Sequence, residues 1–154
     1  MKAIAVALLG LLVVGCDYTV PLAAKPEIPI DRTVLGAWEH LKEGDAPERV
    51  LVLPLGETEY LVSFPAGSRD AMFARACLTN VKDEPLVQLR WFGTARGDVP
   101  GDRPEDRIVY QYACFSMVGD ILAVQLLNPE VVPKTVASTD ELRRAIEAGI
   151  EQPN

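Results

Sequence analysis

Ala71-Met72-Phe73-Ala74-Arg75-Ala76-Cys77-Leu78-Thr79-Asn80 is written in residues that suit two structures. Alanine, methionine and arginine favour a helix. Met72, Ala74, Ala76 and Leu78 also alternate, which puts them on one face of a strand. The residues that follow decide between the two. Lys82-Asp83-Glu84 is polar turn material. Beyond it Val87, Leu89 and Trp91 alternate with Gln88 and Arg90 across 86–92, the pattern of a half-buried strand. The turn joins two strands into a hairpin, so 71–80 is read as a strand.

Upstream, 49–53 is a short apolar strand stopped by Pro54, and Gly56-Glu57 turns the chain. Residues 58–64 alternate with Tyr60, Val62 and Phe64 on one face, and Pro65-Ala66-Gly67-Ser68 is the next turn. Residues 33–40 open the domain. Downstream, 93–106 is a long loop rich in Gly, Pro, Asp and Arg; such loops are commonly either functional or merely mobile. It contains Arg96-Gly97-Asp98, an integrin-recognition tripeptide too short to carry weight alone.

Residues 107–117 form the longest strand candidate. Ile108, Tyr110, Tyr112 and Cys114 share one face, and Val109, Ala113 and Phe115 the other. Two apolar faces imply that both sides are covered, or that the strand borders a lumen. Val118-Gly119-Asp120 turns the chain into 121–127, Asn128-Pro129 ends that strand, and Val131 and Val132 suggest a last short strand around Pro133. Ser138-Thr139-Asp140-Glu141 is a capping box with Ser138 as N-cap. Leu142, Ala145, Ile146 and Gly149 then fall on one helical face while Arg143 and Arg144 point away, predicting a helix docked on the outside of the sheet. The fold class expected is mainly β: an antiparallel meander of seven or eight strands that closes or nearly closes into a small barrel, with one C-terminal α-helix.

The amino terminus carries a different message. Lys2 precedes an apolar run, Ala3 to Val14, well short of the roughly 20 residues of a spanning helix and suited to a secretory signal peptide. Val13-Val14-Gly15-Cys16 resembles the lipobox of bacterial lipoproteins. In that family the Cys thiol takes a diacylglycerol before signal peptidase II cuts ahead of it. The resemblance implies a signal peptide at 1–15, a lipidated Cys16, and a membrane partner reached through that lipid. It places the domain outside the cytoplasm in a bacterial cell envelope, on the periplasmic side. Asp17 resembles the inner-membrane retention signal of enterobacterial lipoproteins. The competing reading of the same residues is a short N-terminal core helix that buries Cys16.

From 16 to 31 the chain reads as a tether. Pro21, Pro26 and Pro29 recur without a hydrophobic period, and extended proline-rich chain at about 3.1 Å per residue reaches up to about 45 Å. Ile28 and Ile30 suit packing of its last few residues. The remainder, 32–154, is one β-rich domain. At its start Gly36-Ala37-Trp38 is Gly-x-Trp, which resembles the lipocalin signature at the first strand, where the Trp closes the bottom of the barrel. The order of signal, tether, Gly-x-Trp, meander and helix is similar to that of lipocalin-like bacterial lipoproteins. Lipocalins usually pack an Arg on this Trp, and Arg90 and Arg107 are the candidates here.

The chain carries a net charge of −7, and losing Lys2 makes the processed form one unit more negative. An acidic chain lacks the clustered Lys and Arg that phosphates require, so nucleic acid is not an expected partner. Nor is a polybasic membrane patch expected, which leaves anchoring to lipid. Cys77 and Cys114 form an even pair in an exported chain, which invites a disulfide. On strands separated by one other their Cα atoms would lie about 9.5 Å apart, beyond the about 7 Å a bridge spans. Bridge and free thiols both stay open.

No catalytic constellation is recognisable. His40 is the sole histidine and stands beside Glu39 at a strand end, the ordinary setting of a surface His. A zinc site needs more ligands than these, and neither Asp83/Glu84 nor Asp102/Glu105/Asp106 has calcium-loop spacing. No enzyme, metal or cofactor is therefore expected. Two functions remain: a barrel binding a small apolar molecule, with Tyr60, Phe64, Trp91, Tyr110 and Tyr112 as candidate lining, or a filled-core module that meets another envelope protein through loop 93–106. An eight-stranded barrel is just wide enough for one small ligand.

Overall fold

The computed structural model of the chain describes residues 3–4, 17–40, 47–98 and 109–150. The hairpin of the opening stretch is present: β5 (Met72–Val81) pairs along its length with β6 (Glu84–Thr94). Val81 faces Glu84 across Lys82-Asp83, and Lys82 adopts φ +53°. Two-residue hairpin turns need such left-handed backbone to match the strand twist. The register shifts between Phe73 and Ala74, which face Gly93 and Trp91, so Phe92 is the extra residue of a bulge that bends β6.

β2 (Gly36–His40), β3 (Glu48–Pro54) and β4 (Tyr60–Phe64) precede the hairpin, and β7 (Tyr110–Val118) and β8 (Ile121–Leu126) follow it. Each of these seven strands pairs antiparallel with the next, as the meander reading requires. β1 (Ala3–Ile4) lies between the two outer strands, parallel to both, and completes a closed barrel. Those two residues fall inside the stretch read as a signal peptide; the antiparallel wall comes wholly from 36–126.

The two ends of the barrel differ. At one, a 3-10 turn (Arg32–Val34) leads into β2 through Gly36, whose φ of +131° is a conformation open to glycine. Two residues on, Trp38 is fully buried, and its Nε1 donates to the Val34 carbonyl at 2.9 Å. Asp31 caps the turn by accepting from the Thr33 amide at 2.8 Å, while its own amide donates to the Tyr60 hydroxyl at 2.6 Å. Tight connections at 55–59, 82–83 and 119–120 gather at this Trp38 end. The connections at 41–47, 65–71 and 95–109 lie at the other end, where β7 begins with Tyr110 and Gln111.

α1 (Thr139–Ile150) docks on the outer face of the sheet as expected. Leu142 and Ile146 are buried with Val81, Leu86, Tyr112 and Val132. Ser138 Oγ accepts from the Glu141 amide at 3.2 Å, and Glu141 Oε2 reaches back to the Ala137 amide at 2.8 Å. A Cβ on Gly149 would meet Val131 Cγ1 at 2.7 Å, so a larger residue there requires the half-exposed Val131 side chain to shift. Arg143 does not point away: its Nη1 donates to the Asn80 carbonyl at 3.0 Å. Val131 and Val132 form no strand but a turn after Asn128, whose carbonyl accepts from both of their amides. Pro133 has no amide to continue a ladder.

The segment expected as a spacer lies against the domain from its first described residue. Tyr18 exchanges two backbone hydrogen bonds with Tyr110, each 2.8 Å, and its hydroxyl donates to the Val132 carbonyl at 2.8 Å. Tyr18 is fully buried, edge-to-face on Tyr112, and the Tyr112 hydroxyl donates to the Val20 carbonyl. Leu22 is buried in the same cluster, and Gln88 Oε1 accepts from the Leu22 and Ala23 amides at 2.7 and 3.0 Å. Tyr18, Val20 and Leu22 therefore face the sheet, and no free spacer separates residue 17 from the barrel.

Cys77 and Cys114 are free, the first buried and the second exposed. They sit on β5 and β7 with β6 between them, and the ladders place Cys77 opposite Gln88 and Gln88 opposite Tyr112, so Cys114 is also offset along the strand. Desolvation of the sulfur pushes both thiols up from their ordinary pKa, at Cys114 because its sulfur is partly covered although the residue is exposed, with an acidic neighbour adding to it (Glu59 for Cys77, Glu84 for Cys114). Because the thiolate is the reactive form, a disulfide reagent is expected to modify Cys114 slowly in the folded protein and Cys77 only after denaturation. Equal rates at the two positions in a peptide-mapping experiment would contradict this placement.

Candidate functional site: the barrel lumen

Inward-facing residues of β3 to β8 surround a cavity of about 140 Å³. Val34, Tyr60 and Leu122 line it toward the Trp38 end, and Phe64, Trp91, Gln111 and Leu126 toward the other. Between them lie Val62, Ala76, Val87, Leu89, Ala113, Phe115 and Val124. Two of these inward positions are alanines, Ala76 on β5 and Ala113 on β7 with β6 between them, and an alanine where a Leu or Val would reach the axis leaves space. An apolar void of about 150 Å³ stays dry and takes a molecule the size of benzene, so this lumen is of ligand size for a small hydrocarbon group.

The polar atoms in the wall have partners outside the void. Trp91 Nε1 donates to Gln111 Oε1 at 2.9 Å, and Gln111 Nε2 donates to Asp17 Oδ1 at 3.0 Å. The Tyr60 hydroxyl is turned to the Asp31 backbone. Burial pushes its pKa up, a push the Asp31 backbone hydrogen bond partly offsets and the Asp31 charge reinforces; the phenol is neutral at pH 7. What faces the lumen is therefore hydrocarbon and aromatic surface.

Of the aromatic residues proposed as lining, Tyr60, Phe64 and Trp91 line the lumen. Tyr110 and Tyr112 do not: they stand on the outer face of β7, beneath Tyr18 and the helix. Both faces of β7 are apolar, so alternation could not say which was inner. Gln111 was missed for the same reason. Gly36 and Trp38 form the seal at one end rather than the lining. Arg90 is exposed on the outer side of β6 and does not pack on buried Trp38. Arg107, Cys16, the cluster Asp102/Glu105/Asp106 and positions 99–106 of the long loop lie outside the described residues, as does the side chain of His40. Arg96 pairs with Asp70 of the 65–71 connection, and Asp98 Oδ2 accepts from Thr94 Oγ1 at 3.2 Å, so both charged groups of the tripeptide have partners within the domain. Among the described residues no group of three or more His, Cys, Asp and Glu side chains is placed to hold a metal. No described helix is long and apolar enough to cross a membrane. No protein-family model, curated protein or solved structure matches the chain.

Proposed function

We propose that this is an envelope lipoprotein, anchored through lipid on Cys16, whose barrel binds a small apolar molecule in its lumen. One observation carries the binding half: the core is not filled but encloses a void of about 140 Å³ with an apolar wall. A module that acted only through its outer surface would have no use for such a void, which forfeits packing contacts on every side. The lipid half rests on Val13-Val14-Gly15-Cys16 and the short apolar run before it. Processing at Cys16 removes β1 with the signal peptide and leaves the seven antiparallel strands as the mature wall.

Native mass spectrometry of the exported protein, purified gently from its own envelope, is expected to find a reproducible small apolar adduct. A clean apo mass with no uptake from a lipid extract would overturn the binding reading and turn attention to the outer surface. Ala113→Phe grows a ring into the void. It is expected to weaken ligand binding by about tenfold or more, or 1.4 kcal/mol, at a cost in stability of about 1–3 kcal/mol. Val124→Phe, from another part of the wall, should act alike. Unchanged affinity in both variants would place the ligand elsewhere.

A further inference from the structure

We propose that the docked segment 17–23 is a short leash that sets the barrel end-on at the bilayer. The connections 65–71 and 95–98 then lie against lipid headgroups, and the Trp38 end is turned away. This rests on the lipoprotein reading and is independent of what the lumen holds. Three observations lead to it.

The first is how firmly the segment is held. Tyr18 is bonded through its backbone to Tyr110 and through its hydroxyl to the Val132 carbonyl. Gln88 accepts from the Leu22 and Ala23 amides and donates from Nε2 to the Ala23 carbonyl at 3.0 Å. Thr139 Oγ1 donates to the Pro21 carbonyl at 2.7 Å. β6, β7, the turn at Val132 and α1 thus all grip one short stretch of chain, and two of its side chains, Tyr18 and Leu22, are buried among them.

The second is length. Cys16 is joined to Asp17 by one peptide bond, a Cα spacing of about 3.8 Å. Asp17 Oδ1 accepts from Gln111 Nε2 at 3.0 Å, and Gln111 is the second residue of β7, at the barrel end opposite Trp38. If 16–31 were free, it would reach up to about 45 Å. The 9 residues of tilted β7 rise only about 20 Å along the barrel axis. A free tether would therefore let either end of the barrel meet the membrane. The docked one brings only the Gln111 end to it.

The third is the character of the two ends. The exposed large apolar side chains at the described barrel ends, Leu53, Leu55, Val118 and Ile121, all belong to the Trp38 end. Left to itself, that end would be the one to seek lipid. At the other, 65–71 and 95–98 expose Arg69, Asp70, Arg96 and Asp98, charges of both signs that suit a headgroup layer and not hydrocarbon. The leash therefore presents a polar end to the headgroups and keeps the apolar hairpin tips clear of the bilayer.

The acylated protein, its modification verified by intact mass, carries Cys114→Ser and one added cysteine, Arg69→Cys or Asp120→Cys, labelled with a fluorophore. Cys77 is buried and stays unlabelled. The protein is inserted in phosphatidylcholine vesicles that carry a nitroxide on the headgroup. Quenching is expected to be several-fold stronger at position 69 than at position 120. Ala95→Cys and Glu57→Cys, one at each end, repeat the comparison in case a member of the first pair folds poorly. Tyr18→Ser with Leu22→Ser loosens the segment without altering the strands and should bring the two positions to similar quenching; Leu22→Ser alone serves if circular dichroism shows the pair unfolded. Equal quenching at both ends of the docked protein, stronger quenching at 120, none at either end, or a difference that survives loosening overturns the proposal. An unacylated Cys16 in the intact mass would instead remove the lipoprotein reading on which it rests.

Discussion

Trp38→Ala lowers stability by about 3–5 kcal/mol, the range for truncating a fully buried aromatic. The indole is wholly buried and packs with Val34, Val52, Tyr60, Ala76 and Leu122. It also ties the 3-10 turn to β2 through Nε1 and the Val34 carbonyl. Truncation removes the packing, opens the sealed end and withdraws the donor from a buried carbonyl. Trp38→Phe separates these effects. It keeps most of the ring and forfeits the hydrogen bond, whose net worth is about 0.5–1.5 kcal/mol. Urea unfolding followed by circular dichroism measures both variants. A loss below about 1 kcal/mol for Trp38→Ala is the behaviour of a surface position and would contradict its burial.

The reason this end is built so is local. Gly36 takes a positive φ that lets the chain turn from the 3-10 turn into β2, and the residue two further on then faces inward. Gly-x-Trp is thus a geometric unit: glycine for the bend, tryptophan for the seal. The resemblance noted in the sequence rests on that unit and on the order of elements.

Legibility in the sequence followed how one-sided each strand is. In 58–64 and 86–92 one face is wholly apolar while the other mixes Glu59, Ser63, Gln88 and Arg90 with Leu61, Leu86 and Phe92, so alternation singles out Tyr60, Val62, Phe64, Val87, Leu89 and Trp91 as one-face residues, and all six line the lumen. β7 is apolar on both faces, and there alternation is silent about direction: it does not distinguish Tyr110 and Tyr112, which face outward, from Gln111, which faces the lumen. The opening stretch yielded because its turn chemistry was stronger than its helix propensity. Lys82-Asp83-Glu84 is polar turn material that suits a tight hairpin, and tertiary pairing with β6 overrides the preferences of Ala and Met.

The docking of 17–23 was hidden by proline. Tyr18, Val20 and Leu22 do alternate, but Pro21 within them and Pro26 and Pro29 after them suggested a spacer. A proline costs little where the amide makes no ladder bond. Here the segment is fixed chiefly by side chains, Gln88, Tyr112 and Thr139, whose Oγ1 donates to the Pro21 carbonyl at 2.7 Å. Gln88 read as a solvent-facing partner of Arg90 in the alternation, yet it is buried and holds the Leu22 and Ala23 backbone. A buried polar side chain that satisfies unpaired backbone is invisible to hydrophobic periodicity.

Cys16→Ser removes the only thiol that the lipoprotein pathway can modify at that site, so the variant is expected to be neither acylated nor cut ahead of residue 16. Intact mass and radiolabelled fatty acid incorporation check both; normal acylation of the variant would end the lipoprotein reading. The effect on membrane attachment is large because each buried CH2 contributes about 0.8 kcal/mol and two or three chains together hold stably where one does not. On the lipoprotein reading the variant is also expected to differ from the processed protein at one place in the fold. An uncut chain keeps Ala3–Ile4, which pairs with Glu39 and His40 on one side and Ile121 on the other. A processed chain lacks those pairs, so β2 and β8 each present an unpaired edge at the seam. Amide exchange should accordingly be faster at 36–40 and 121–126 in the processed protein than in Cys16→Ser, with β5 and β6 alike in both. Equal protection at the seam in the two forms would mean that β2 and β8 close upon each other once the leader is gone.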